Sequence, residues 1–168
     1  MTKKITALSM LTAFALVCSI IEDRFPLPIN LPGVKLGLAN IFIFSVIILF
    51  GFSEALLVVF VRVVMNAMFG ITPAAILYSL PAGLVSSTIM FLLYKCASKQ
   101  FSIVSISICS SVMHILTQLT IAYLILKESL IFSLLPILLL SAIVTGLFVG
   151  ISTNHLSIRL KKLLYTRH

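Results

Sequence analysis

Residues 130–151 read LIFSLLPILLLSAIVTGLFVGI and contain no charged side chain. An α-helix that crosses the hydrocarbon core of a bilayer needs about 20 consecutive, mostly apolar residues, and this stretch supplies them. Charged side chains return only beyond it, at Arg159, Lys161 and Lys162. The stretch therefore predicts a helix that faces lipid, and its basic flank predicts the side on which that helix leaves the membrane.

Similar apolar runs fill the chain on the amino-terminal side of this stretch. The six runs fall at about 5–21, 36–50, 54–69, 72–94, 101–126 and 130–151. Helix-breaking residues separate them, most clearly Pro26, Pro28 and Pro32 between the first two runs. The second and third runs are short for a bilayer, so we expect tilt, local thinning of the bilayer or burial among neighbouring helices.

Composition excludes a separate soluble domain. Of the 168 residues, 61% are hydrophobic and only 10% are charged, and the mean hydropathy is +1.24. The charged share is well under half of that in soluble domains, so the apolar runs must face lipid. We predict one domain, residues 1–168, which is an all-α integral membrane protein built as a bundle of six transmembrane helices.

The basic residues indicate how the bundle lies in the membrane. With the N-terminus in the cytoplasm, most of them fall on the cytoplasmic side, as the positive-inside rule requires: Lys3, Lys4, Lys95, Lys99, Arg159, Lys161, Lys162 and Arg167. We predict a multi-pass protein of the cell membrane with both termini in the cytoplasm and a short amphipathic stretch at residues 157–168. The net charge of +8 is too scattered for a nucleic-acid surface, so lipid is the predicted partner.

Residues that could carry catalysis are too sparse for an enzyme. Cys18, Cys96 and Cys109 have neither disulfide nor metal-ligand spacing. The chain has no nucleotide-binding loop and no recognisable pair of nucleophile and base. We predict no catalytic activity, no metal and no cofactor, and we expect any ATP-driven function to depend on a separate ATPase.

Five polar side chains fall inside the predicted spans, where hydrocarbon makes them costly. They are Asn40, Arg62, Asn66, His114 and Gln118. The i, i+4 spacing of Arg62 and Asn66, and of His114 and Gln118, places each pair on one face of its helix. A rise of about 1.5 Å per residue brings the three amides to similar depth in the outer half of the membrane. They predict a polar pocket that opens outward, with Arg62 and His114 at its floor.

Two interpretations of these residues stay open. Asn, Gln and His also form hydrogen bonds that hold membrane helices together, which explains any single amide as well as a pocket does. Arg62 favours the pocket, because a permanent cation near mid-membrane needs an anion or a wet cavity. The carboxylates all lie at span ends, and Glu54, two turns from Arg62, is an awkward partner. We therefore predict that Arg62 contacts an anionic or carbonyl group of a bound molecule.

Small residues recur at four-residue intervals on the first and last predicted spans. Ala142, Gly146 and Gly150 form such a stripe on the last span, and Ser9 and Ala13 form a shorter one on the first. Small side chains let membrane helices approach closely. We expect most of them to pack within the bundle, while at least one stripe remains a candidate for docking a partner.

The segment at residues 32–41, PGVKLGLANI, is more specific than any of these patterns. The flanking residues that accompany it are IE at 21–22, PLP at 26–28, GF at 51–52, EAL at 54–56 and Arg62. Together they resemble the Gx transporter family, also labelled heptaprenyl diphosphate synthase component I, over nearly the whole chain. His114 and Gln118 fall where that family has a polar His and Gln pair.

That family is similar to the substrate-binding membrane subunits of energy-coupling factor vitamin transporters, which are six-helix bundles with both ends inside. The resemblance implies an outward-facing site that is covered by the loop at residues 25–34, with Lys35 in contact with the substrate. It also implies a partner, an energising ATPase module with a transmembrane coupling subunit. Such subunits commonly present AxxxA on helix one, whereas this chain has Ser9 and Ala13, which puts docking to a shared module in doubt.

The second label of the family implies a different role. Prenyl diphosphate synthases hold magnesium with Asp-rich motifs, whereas this chain has a single aspartate, Asp23. It would therefore be a non-catalytic membrane component beside a soluble prenyltransferase subunit. Three hypotheses result: a substrate-binding subunit for uptake of a small vitamin- or cofactor-like molecule, this non-catalytic component, and an assembly factor whose polar residues only join helices.

Overall fold

The computed structural model describes residues 2–24, 37–69 and 75–165 of the chain. In that part the chain forms α-helices, one short 3-10 helix and no strand, which confirms the predicted all-α fold. The helices are α1 (Thr2–Arg24), α2 (Asn40–Leu49), α3 (Phe52–Phe69), α4 (Ala75–Ala97), α5 (Ile103–Leu126) and α6 (Leu135–Tyr165), with the 3-10 helix at Ser129–Leu134 before α6.

Five segments of the described chain are long and apolar enough to cross a membrane, and they correspond to α1, α3, α4, α5 and α6. Large apolar side chains such as Leu57, Phe60 and Phe148 are exposed on the outward faces of these helices. Extensive exposed apolar surface of this kind is typical of contact with lipid, and the chain is a multi-pass membrane protein. The count of six crossings and the cytoplasmic position of both termini remain predictions.

Helix α2 is shorter than the second span predicted at residues 36–50. It begins only at Asn40, because Gly37 has a φ of +84° and the chain turns at residues 38–39. Ten residues rise about 15 Å, half of the hydrocarbon thickness of about 30 Å. Most of α2 is buried against α1, α3, α4 and α6. Of the outcomes expected for a short run, burial among neighbouring helices is therefore the one observed.

Helix α6 is longer than the span predicted at residues 130–151. It continues without a break to Tyr165, so residues 157–165 of the predicted amphipathic stretch are the last turns of this helix. Polar side chains in this part bond to their own helix, since Ser157 Oγ donates to Asn154 O over 3.1 Å. Neither Gly nor Pro follows Gly150 within α6, so the sequence offers no residue that would break the helix there.

Helix α5 lies between α4 and α6 and approaches α6 most closely at two glycines. A Cβ atom at Gly146 would lie 2.7 Å from a backbone atom of α5, and one at Gly150 would lie 2.6 Å from another. Only a residue without a side chain fits at either position, and Ala142 is buried on the same stripe. Ser9 and Ala13, in contrast, are exposed on the outer face of α1.

An ion pair joins the beginning of α1 to the beginning of α3. Lys4 Nζ lies 2.5 Å from Glu54 Oε1, which joins the first turn of α1 to the first turn of α3. The two helices therefore begin at the same end of the bundle and run in the same direction. The pair also occupies Glu54, the carboxylate considered from the sequence as an awkward partner for Arg62.

Candidate ligand-binding site

Buried polar side chains interrupt the apolar interior of the bundle. Along α5, Ile106 belongs to one apolar cluster and Ile115 to another, and the buried residues between them are polar. We use the name polar cluster for the buried polar residues that α1 to α5 contribute at this level: Ser19, Glu22, Asn40, Arg62, Asn66, Ser86, His114 and Gln118. All five residues predicted inside the spans are therefore buried and belong to it.

Arg62 lies where α1, α3 and α4 meet, and only 4% of it is exposed. Its Nη1 donates a hydrogen bond to Ser19 Oγ over 2.9 Å. Its Nη2 faces Gly83, where a Cβ atom would stand 3.5 Å away from it and 2.9 Å from Val59 Cγ1. The small residues Ser19 and Gly83 thus leave room for a guanidinium group inside the bundle.

His114 of α5 is buried against α4. Its Nδ1 shares a hydrogen bond with Ser86 Oγ over 3.2 Å. Ser110 strengthens the same contact between the helices, because its Oγ donates to Ser86 O over 2.9 Å. Ser86 Oγ also lies 3.2 Å from Gly83 O, to which it donates. The residues Gly83 and Ser86 therefore connect the surroundings of Arg62 with those of His114.

Asn40 is buried at the start of α2, and its side chain and that of His114 both lie beside Gly37. A Cβ atom at Gly37 would lie 3.0 Å from Asn40 Nδ2 and 3.7 Å from His114 Cδ2, so a glycine keeps this space open. The Nδ2 donor of Asn40 has no hydrogen-bond partner among the described residues. Buried polar groups are nearly always hydrogen-bonded, so this donor is available to an acceptor outside the described residues.

The remaining predicted residues lie close by along the same helices. Asn66 and Gln118 are both buried, each one helical turn beyond Arg62 and His114 on the same face. Gly37 lies beside both Asn40 and His114, and a hydrogen bond connects His114 to Ser86, which in turn bonds to Gly83 next to Arg62. Lys35 and the predicted lid at residues 25–34 lie outside the described residues.

Glu22 is a polar-cluster residue that the sequence did not reveal. Only 8% of it is exposed, and its Oε1 accepts a hydrogen bond from Leu38 N over 2.7 Å. It lies three residues after Ser19, on the same face of α1. Its position near the end of an apolar run made it resemble a solvated flank. Ser86 was not predicted as part of the site, because a serine in a membrane helix carries no signal of its own.

The polar cluster is rich in hydrogen-bond donors. A guanidinium group, three side-chain amides and an imidazole supply donors from α2, α3 and α5. Charge-assisted bonds from Arg to a carboxylate or phosphate are stronger than neutral ones. Within the described residues, no three His, Cys, Asp or Glu side chains come together to hold a metal ion. The arrangement supports recognition of a small molecule by hydrogen bonds and charge.

Comparison with known proteins gives one match. A family model described as heptaprenyl diphosphate synthase component I matches residues 11–156, which include every residue of the polar cluster. No curated protein and no solved structure matches the chain.

Proposed function

The chain belongs to the heptaprenyl diphosphate synthase component I family, and we propose that it is a membrane subunit that binds a small, acceptor-rich molecule for uptake. The molecule is vitamin- or cofactor-like in size and carries a carboxylate, phosphate or carbonyl group. The binding residues are Asn40, Arg62, Asn66, His114 and Gln118, with Lys35 at the entrance. The chain captures the molecule, and a separate ATPase module with a transmembrane coupling subunit supplies the energy.

The observation that carries this proposal is the environment of Asn40 and Arg62. Asn40 Nδ2 is buried without a hydrogen-bond partner among the described residues, and Arg62 is nearly fully buried on a helix long and apolar enough to cross a membrane. Residues that only join helices would direct their donors at each other or at backbone carbonyls. A buried donor that the described residues leave unsatisfied favours a ligand-binding role, because leaving it so costs about 1–3 kcal/mol.

Uptake of labelled nutrients tests the proposal. Cells that lack the native gene would express the wild-type chain, Arg62→Met or Arg159→Met, and would be offered a panel of labelled vitamins and cofactor precursors. Arg159 is an exposed arginine of α6 outside the polar cluster, so its variant is the matched control. We expect uptake of one class of compound by wild type and Arg159→Met, and a loss of at least about 100-fold in Arg62→Met, as for a buried charge contact worth about 3 kcal/mol. Equal uptake by all three would contradict the proposal.

A second function is favoured by the description of the family model itself. As a component of a heptaprenyl diphosphate synthase, the chain would be a non-catalytic membrane partner of a soluble prenyltransferase subunit. Reconstitution of the chain with such a subunit in vesicles tests this function by the yield and length of the polyprenyl product. A product that does not change when the chain is added would rule it out.

A further inference from the structure

A groove runs between α1 and α6 at the end of the bundle where α1 begins and α6 ends. Its volume is about 660 Å³. The walls are apolar, with Met10 and Phe14 on α1 and Leu156, Leu160 and Leu163 on α6, and Phe42 forms the floor. Phe14 stacks on Phe42 with ring centroids 5.8 Å apart. Since Met10, Phe14 and Leu163 are largely exposed, the groove opens toward the surroundings of the bundle.

The length of the groove matches one leaflet of a bilayer. Along α1 it extends from Lys3 to Phe14, which corresponds to about 16 Å at 1.5 Å per residue. One leaflet contributes about 15 Å of hydrocarbon. Apolar side chains that face lipid at this depth exclude water, so an apolar chain fits the interior of the groove.

The rim of the groove is positively charged. Lys3 lines it directly, whereas Arg159 and Lys161 are exposed on α6 without lining the groove. Helix α6 contains no Asp or Glu. The acidic residue Glu54, near the start of α1, is already paired with Lys4. Basic side chains at a membrane surface attract anionic headgroups.

We propose that this groove binds an anionic phospholipid, with one acyl chain along the apolar walls and the phosphate at Lys3. The bound lipid would fill the space between α1 and α6 and hold the two helices at a fixed separation. This site is distinct from the polar cluster, whose residues on α1, Ser19 and Glu22, lie toward the other end of that helix. The inference therefore does not depend on the proposed uptake function.

The absence of tryptophan from the chain allows a direct test by fluorescence. Phe14→Trp places the only reporter in the groove, and Phe148→Trp places one on the exposed face of α6. Each protein would be reconstituted in two kinds of phosphatidylcholine vesicle. One contains a small fraction of brominated phosphatidylglycerol, and the other contains the same fraction of brominated phosphatidylcholine. Both brominated lipids quench tryptophan fluorescence on contact. Lys3→Gln is tested with each reporter, and Lys99→Gln, which removes an exposed lysine outside the groove, is its matched control.

We expect phosphatidylglycerol to quench the Phe14→Trp reporter about fivefold more effectively than phosphatidylcholine, the preference that one basic residue gives at a membrane surface. Lys3→Gln should abolish this preference and Lys99→Gln should retain it, while Phe148→Trp should show none. Equal quenching of the Phe14→Trp reporter by both lipids would overturn the proposal. The absence of quenching by either lipid would also overturn it, and would indicate that a protein segment or a second copy occupies the groove. Restoration of fluorescence by farnesyl diphosphate, but not by unlabelled phosphatidylglycerol, would assign the groove to an isoprenoid instead.

Discussion

Asn40 Nδ2 and Arg62 Nη1 are both buried donors of the polar cluster, yet their surroundings differ. Arg62 Nη1 donates to Ser19 Oγ over 2.9 Å, whereas Asn40 Nδ2 has no partner among the described residues. Removing a group that makes a bond in the folded protein costs stability, and removing one that makes none relieves a penalty. This difference separates the amide donor of Asn40, which is available to a ligand, from the Nη1 donor of Arg62, which joins α3 to α1.

The variant Asn40→Leu tests that distinction. Leucine has nearly the same shape as asparagine, so the unliganded protein should unfold within about 0.5 kcal/mol of wild type or be more stable. Ser19→Ala, the comparison variant, leaves a guanidinium donor without its acceptor and should destabilise by about 1–3 kcal/mol. Unfolding in mixed micelles, followed by circular dichroism as denaturant is added, measures both. A loss in Asn40→Leu as large as that in Ser19→Ala would show that Asn40 joins helices.

Some residues of the polar cluster could be predicted from the sequence, and others could not. Asn40, Arg62 and His114 could be predicted because amide, guanidinium and imidazole groups are rare within apolar runs. Ser19 could not, since serine occurs throughout membrane helices and nothing in a linear sequence relates α1 to α3. Glu22 could not be predicted either, because it lies at the end of an apolar run, where a carboxylate is normally in contact with water.

At the scale of the helices, the length of each helix was harder to predict than its helical structure. The run at 36–50 is mostly apolar, and an apolar run does not tell a membrane-facing helix from one that other helices surround. The turn at Gly37 shortens α2 to ten residues and moves it into the interior. A glycine in an apolar run is common in membrane helices, so only the three-dimensional structure shows that this one interrupts the helix.

The contact between α5 and α6 gives a prediction at this scale. Gly146→Leu introduces a side chain whose Cβ would lie 2.7 Å from the backbone of α5, so the two helices must separate. We expect a loss of about 1–3 kcal/mol or more in the free energy of unfolding, as for an overpacked core. Ala13→Leu, at an exposed position of α1, should have almost no effect on the same measurement. Equal stability of the two variants would contradict the assigned contact.

At the scale of the whole molecule, α1 connects two regions with different chemistry. Its buried residues Leu11, Ala15, Ser19 and Glu22 lie on one face and pass from the apolar interior to the polar cluster. Its first turns line the apolar groove toward α6. The membrane-protein class could be predicted from composition alone, because few arrangements accommodate 61% hydrophobic residues. The relative placement of the two regions could not, since it depends on how distant helices pack.

Mass spectrometry of small molecules released from the purified protein tests the central claim, ligand binding by the polar cluster, most directly. Wild type, Arg62→Met and Arg159→Met would be isolated in mild detergent from their native membrane in equal amounts. The account predicts that one anionic or carbonyl-bearing compound is released at near-stoichiometric yield from wild type and from Arg159→Met. The compound should be absent from Arg62→Met, whose elution profile in gel filtration should show that the variant is folded. The same compound at the same yield in Arg62→Met, or no compound enriched in any of the three, would contradict it.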